Sequence, residues 1–113
     1  MVFKALHGRK VKLSGGYEFI KDSVVGTVAQ TGERALLLVL DQPLDYGGRR
    51  FEHVVAQVQR HTGTLDGLLA DGRLDCHCLW VPQERFDPTR PLEVAWWRGR
   101  DALLSTVELT EAG

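Results

Sequence analysis

Val24-Val25-Gly26-Thr27-Val28-Ala29-Gln30 runs into Thr31-Gly32-Glu33-Arg34 and then into Ala35-Leu36-Leu37-Leu38-Val39-Leu40. Two runs rich in β-branched and apolar residues flank a short polar segment that holds a glycine. That arrangement reads as a β-hairpin. Similar turn signals recur along the chain at Ser14-Gly15-Gly16, Tyr46-Gly47-Gly48, Thr62-Gly63, Asp71-Gly72, Asp87-Pro88 and Arg98-Gly99. Short strands punctuated at this rate build barrels or sandwiches.

Strands are expected at 9–13, 23–30, 35–41, 51–60, 74–81, 92–98 and 103–110. The strand at 35–40 should pair with 51–60 through a longer loop at 43–50. One short helix is expected at 65–70, with Thr64 as its N-cap and Gly72 in the left-handed conformation after its end. The fold class is therefore mostly β, a small antiparallel β-barrel or bent sandwich of six or seven strands with one short helix. At 113 residues it forms a single globular domain.

Strand alternation assigns the faces. Val54, Ala56 and Val58 form one apolar row, while His53, Gln57 and Gln59 point the other way with Phe51 and Val55 mixed in. Leu74, Cys76, Cys78 and Trp80 share a core face, and Asp75, His77 and Leu79 share the opposite one. Trp96 and Trp97 are adjacent, so one of them, Trp97, is assigned to the outside or to a second layer. The 35–40 run is apolar on both faces and needs cover on both. The short helix or a second copy of the chain could supply it. With Trp97, this run is the basis for expecting a homodimer.

Composition narrows the function classes. Hydrophobic residues make up 43% and charged residues 26%, as in ordinary globular domains. No apolar run approaches the length of a membrane-spanning helix, and the first residues lack a signal-peptide stretch. A cytoplasmic location and no membrane partner are expected. Ten arginines against four lysines, with a single isoleucine, hint at a GC-rich bacterial source. Net charge is −1, which argues against a general polyanion binder. The charge is uneven: residues 1–34 hold six basic against three acidic side chains, and residues 35–113 hold eight against twelve.

The chemically loaded motif is Cys76-His77-Cys78, which holds both cysteines of the chain. A structural zinc site commonly needs four ligands from two Cys/His pairs, and this chain has no second cysteine pair. Alternation also turns His77 away from the two thiols. The simplest reading is two small buried hydrophobes, so no metal and no cofactor are assigned. A metal or thiol site there is kept as an alternative. A redox role finds no C-x-x-C, and Asp75 beside Cys76 works against a reactive thiolate.

Nothing in the sequence matches a nucleophile motif, and a phosphate-cradling glycine loop is missing. No catalytic residue is assigned, although a cleft lined by His53, His77 and Gln57 would suit a small ligand. A second alternative is a barrel that binds single-stranded nucleic acid. Its candidate contacts are Arg9, Lys10 and Lys12, then Arg49 and Arg50 beside Tyr46 and Phe51, and Trp97 between Arg98 and Arg100. The preferred reading is a non-catalytic, cytosolic binding or protein-interaction module that self-associates. Its candidate binding residues are Tyr46, Arg49, Arg50, His53, His77 and Trp97. The stretch from Asp41 to Arg50 is the favoured functional loop, because loops on rigid scaffolds often carry binding.

Overall fold

The computed structural model describes residues 4–14, 23–32, 35–58, 66–87, 89 and 102–110. Six antiparallel strands close into a barrel in sequence order: β1 (Lys10–Ser14), β2 (Val24–Thr31), β3 (Ala35–Tyr46), β4 (Arg49–Gln57), β5 (Arg73–Pro82) and β6 (Ala102–Leu109). The ring is completed by pairing of β6 with β1, where Lys12 stands opposite Glu108 and Leu13 opposite Val107. One short helix, α1 (Asp66–Asp71), precedes β5. A strand expected at 92–98 lies outside the described residues, as do the Thr64 cap, Gln59, His61, Trp96 and Trp97.

Alternation fills the barrel. Val11, Leu13, Val28, Leu36, Leu38, Val54, Ala56, Cys76, Cys78, Trp80 and Val107 belong to one buried cluster. Their neighbours in sequence, such as Lys10, Lys12, Thr27, Asp75 and Glu108, face outward and are at least partly exposed. The interior is a packed core rather than a channel. A lipid-spanning barrel has the reverse pattern, with an apolar outer band around a polar interior. Among the described residues no helix is long and apolar enough to cross a membrane.

Gly26 faces this interior. A Cβ placed there would stand 3.1 Å from the Val39 carbonyl oxygen and 3.5 Å from the Leu38 Cβ. The missing side chain lets β2 and β3 approach closely at the Gly26–Leu40 pair.

The strand directions give the barrel two distinct ends. At one end Leu6, on a 3-10 turn at Lys4–Leu6, and Leu68 of α1 are both fully buried in the interior cluster. The helix thus plugs the barrel. It is not the cover for the outer face of 35–40, one of the two covers considered for that run: α1 packs against β5 and β6. Gly72 ends the helix as expected, with φ +76° and its N–H donated to the Leu68 carbonyl at 2.9 Å.

The outer face of 35–40 is covered in another way. Ala35, Leu37, Val55, Leu79 and Val81 form a second buried cluster on the outside of β3, β4 and β5, with Ala29 and Phe86 packed against it. Phe86 follows a 3-10 turn at Gln83–Arg85 that leads the chain off the end of β5 and back toward β4. The apolar outer face at Ala35 and Leu37 is therefore already buried within one chain.

Candidate functional site

The end opposite α1 carries the expected functional stretch, but in a different form. The long loop anticipated at 43–50 does not exist. Instead β3 continues to Tyr46, Gly47 and Gly48 make a two-residue turn, and β4 starts at Arg49. Both glycines have positive φ, 61° and 78°. That is the requirement of a type I′ hairpin, whose twist matches its strands. Leu44, Asp45 and Tyr46 stand opposite Phe51, Arg50 and Arg49. The result is a β-hairpin arm.

Two irregularities aim the arm. Between the Val39–His53 and Leu44–Phe51 pairs, β3 carries four residues against one on β4. On the other side of β4, the register slips again between Phe51 and His53, which face Pro82 and Val81. Bulges bend and twist a strand, and Pro43 sits within the first one, where a missing N–H is tolerated. The slip also corrects the face of Phe51. Instead of sharing the His53 side it joins the interior cluster, edge-on to Trp80 at 6.2 Å between centroids.

A cleft of about 450 Å³ opens where the arm leaves the barrel. One wall is Ser23, Val24 and Val25 at the start of β2, and the other is residues 41–44 of β3. Among the described lining residues Asp41 is the charged one. The Asp41 carboxylate accepts hydrogen bonds from Lys10 Nζ at 2.7 Å and Thr27 Oγ1 at 3.0 Å. The Lys10 hydrogen bond holds the carboxyl below its ordinary range, and Thr27 adds to it. The sequence reading missed this cleft. Pro43 inside an otherwise strand-like run was the available sign of a bulge.

His53 and His77 share the outer face of the β4–β5 pair but do not meet. His53 stands opposite Val81 and Gln57 opposite His77, so four residues of strand separate them. At about 3.3 Å per residue that is roughly 13 Å. The Val55–Leu79 pair fills the gap. His53 instead stacks on Phe86, with ring centroids 3.6 Å apart and planes 3° from parallel. Its Nδ1 is buried without a hydrogen-bond partner among the described residues. Burial pushes its pKa below the ordinary value of 6.5, and nearby Glu52 opposes this in part. His77 is exposed, and the proposed cleft of His53, His77 and Gln57 is not assembled by these positions.

Cys76 and Cys78 form no disulfide and are buried in the barrel core, on the face opposite His77. Burial raises both thiols to a pKa of about 12, helped by Asp75 for Cys76 and by Cys76 for Cys78. A hydrogen bond with Ser105 opposes the shift at Cys78. Among the described residues no three His, Cys, Asp or Glu side chains are grouped to hold a metal.

The basic candidates are placed but largely neutralised. Arg49 pairs with Glu84 at 3.5 Å, Arg50 with Glu52 at 3.0 Å, Lys10 with Asp41 at 2.7 Å and Lys12 with Glu108 at 3.3 Å. All eight partners are solvent-accessible, so each pair adds little to stability. The local field is nevertheless balanced rather than basic. Tyr46 is placed by its backbone opposite Arg49. Trp97 lies outside the described residues, in the connection from Pro82 to Ala102. Both of those strand ends lie at the arm end of the barrel.

The chain matches no protein-family model, and no curated protein and no solved structure shows significant similarity to it.

Proposed function

We propose that the chain is a non-catalytic, cytosolic binding module that engages its partner with the β3–β4 arm and the cleft at the arm's base. One observation carries this reading. A solid barrel sealed by Leu6 and Leu68 at one end presents, at the other, a hairpin aimed by two bulges over an open cleft. Rigid scaffolds with irregular features at one rim are a common way to position a binding surface. The separation of His53 from His77 and the high pKa of both thiols favour binding over catalysis. Buried thiols outside any disulfide suit a reducing compartment.

Self-association is a separate part of the reading, and its support narrows. With Ala35 and Leu37 buried, the large exposed apolar side chains left on β2 and β3 among the described residues are Val25 and Val39, each 37% exposed. Sedimentation that gives a monomer at high micromolar concentration would remove it.

Site-specific photo-crosslinking in cells tests the main reading. A crosslinker at Gln42 or Asp45 should capture a partner, and one at Leu69 or Arg73 at the α1 end should not. Capture only from the α1 end would overturn it.

A further inference from the structure

The ladder between β2 and β3 ends at the Gly26–Leu40 pair, yet β3 runs on to Tyr46. Among the described residues nothing pairs with residues 41–46 on the β2 side. An open strand edge offers a row of backbone N–H and C=O groups, and the ligand that satisfies such a row is another extended backbone. We propose that the cleft accepts a short, extended, basic peptide segment, which adds as a strand to β3 at residues 41–45. The inference rests on the binding-module reading and names the partner class for that site.

Three observations select this occupant. First, the cleft has two chemically different faces. Val24 and Leu44 pack against the barrel core, while Asp41 and Val25 stand on the outer side. A strand that alternates apolar and cationic residues matches that division, because its successive side chains point to opposite faces. Second, the Asp41 carboxylate already holds an ammonium group, that of Lys10 at 2.7 Å. Lys10 marks where a guest cation would bind and competes with it. Third, a second copy of the arm is a poor guest. Antiparallel self-pairing about Pro43 would set Asp41 of each copy against Asp45 of the other, and like charges opposed across strands are destabilising. Pro43 also lacks an N–H, which limits the edge to a short guest and blunts open-ended sheet growth.

The test uses the intact chain, 15N-labelled, and the blocked peptide Val-Lys-Val-Lys-Val as probe. The peptide should shift the amides of Val24, Val25, Gln42, Leu44 and Asp45 and slow hydrogen exchange at residues 42–45. Asp41→Asn should weaken binding about tenfold, on the scale of one charge-assisted hydrogen bond. Lys10→Ala, which removes the internal competitor, should tighten it. A Val-Glu-Val-Glu-Val peptide, and a version of the basic peptide N-methylated at alternate amides, should each bind far more weakly. Equal binding of either control would overturn strand addition by a basic guest. So would edge amides already protected in the free protein, or the absence of any shift with the basic probe. Those failures leave the crosslinking result intact, so the two readings fail separately.

Discussion

His53 lies flat on Phe86, 3.6 Å between ring centroids, and this stack joins β4 to the segment that follows β5. The contact buries Nδ1 without a hydrogen-bond partner among the described residues. It therefore favours the neutral imidazole, and burial lowers the pKa below 6.5. The unfolded chain then binds the proton more readily than the folded one. Stability from this site is complete above about pH 6.5 and is lost as pH falls from there through the folded-state pKa. Urea midpoints measured from pH 8 to pH 5 should fall over that window, and His53→Leu should flatten the profile. A profile unchanged by the substitution would count against the stack as its cause.

A side chain at Gly26 should be costly. The nearest obstacle to a Cβ is the Val39 backbone oxygen at 3.1 Å, which moves only if β3 moves. Gly26→Ala is expected to cost about 1–3 kcal/mol, the range for overpacking a core. Equilibrium denaturation reads this directly.

The arm depends on its turn. Gly47 and Gly48 hold φ at 61° and 78°, where a β-branched residue is strained. Gly47→Val should cost about 1–2 kcal/mol, whereas Gly47→Asn should be close to neutral because asparagine accepts the left-handed conformation. Exchange rates of the Tyr46 and Arg49 amides separate the two outcomes.

Leu68 and Leu69 are neighbours on α1 with opposite roles. Leu68 is fully buried in the barrel end, and Leu69 is 39% exposed. Leu68→Ala should cost about 2–5 kcal/mol by leaving a cavity. Leu69→Ala should stay within about 0.5 kcal/mol. Similar losses for both would show that the helix does not plug the barrel.

The thiols should be inert in the folded protein. With pKa values of about 12, neither Cys76 nor Cys78 should react with a disulfide reagent near pH 8 until the chain unfolds. The shift is upward, so its contribution to stability is full below the ordinary value of 9.0 and is lost as pH rises toward 12. Alkaline unfolding that begins above pH 9 and moves to higher pH in Cys76→Ser would check this.

Much of the barrel could be read from the sequence. Period-two alternation placed Cys76, Cys78 and Trp80 inside and His77 outside, and the Thr31–Arg34 turn marked the β2–β3 hairpin. The bulges left no sign in the sequence beyond Pro43, because a register slip leaves local composition unchanged while reversing every face beyond it. That is why Phe51 was assigned to the wrong side and the arm was taken for a loop. The Asp41–Lys10 pair was hidden for a related reason: it joins residues on strands that are not neighbours in the ring. The cover over Leu37 was hidden too, since Phe86 comes from a turn whose path no periodicity encodes.

Five of the six seams in the ring join strands consecutive in the chain, and the sixth joins β1 to β6. The consecutive seams close shorter connections, the longest running from Pro82 to Ala102, and their entropic cost is smaller. The β1–β6 seam, by contrast, must gather nearly the whole described chain before Lys12 meets Glu108. Folding speed should therefore hinge on this closure, since non-local pairing is the slow step in β proteins. Until it occurs, the meander has two bare edges, and the outward charges of Lys12 and Glu108 stand on them as guards against pairing with another chain.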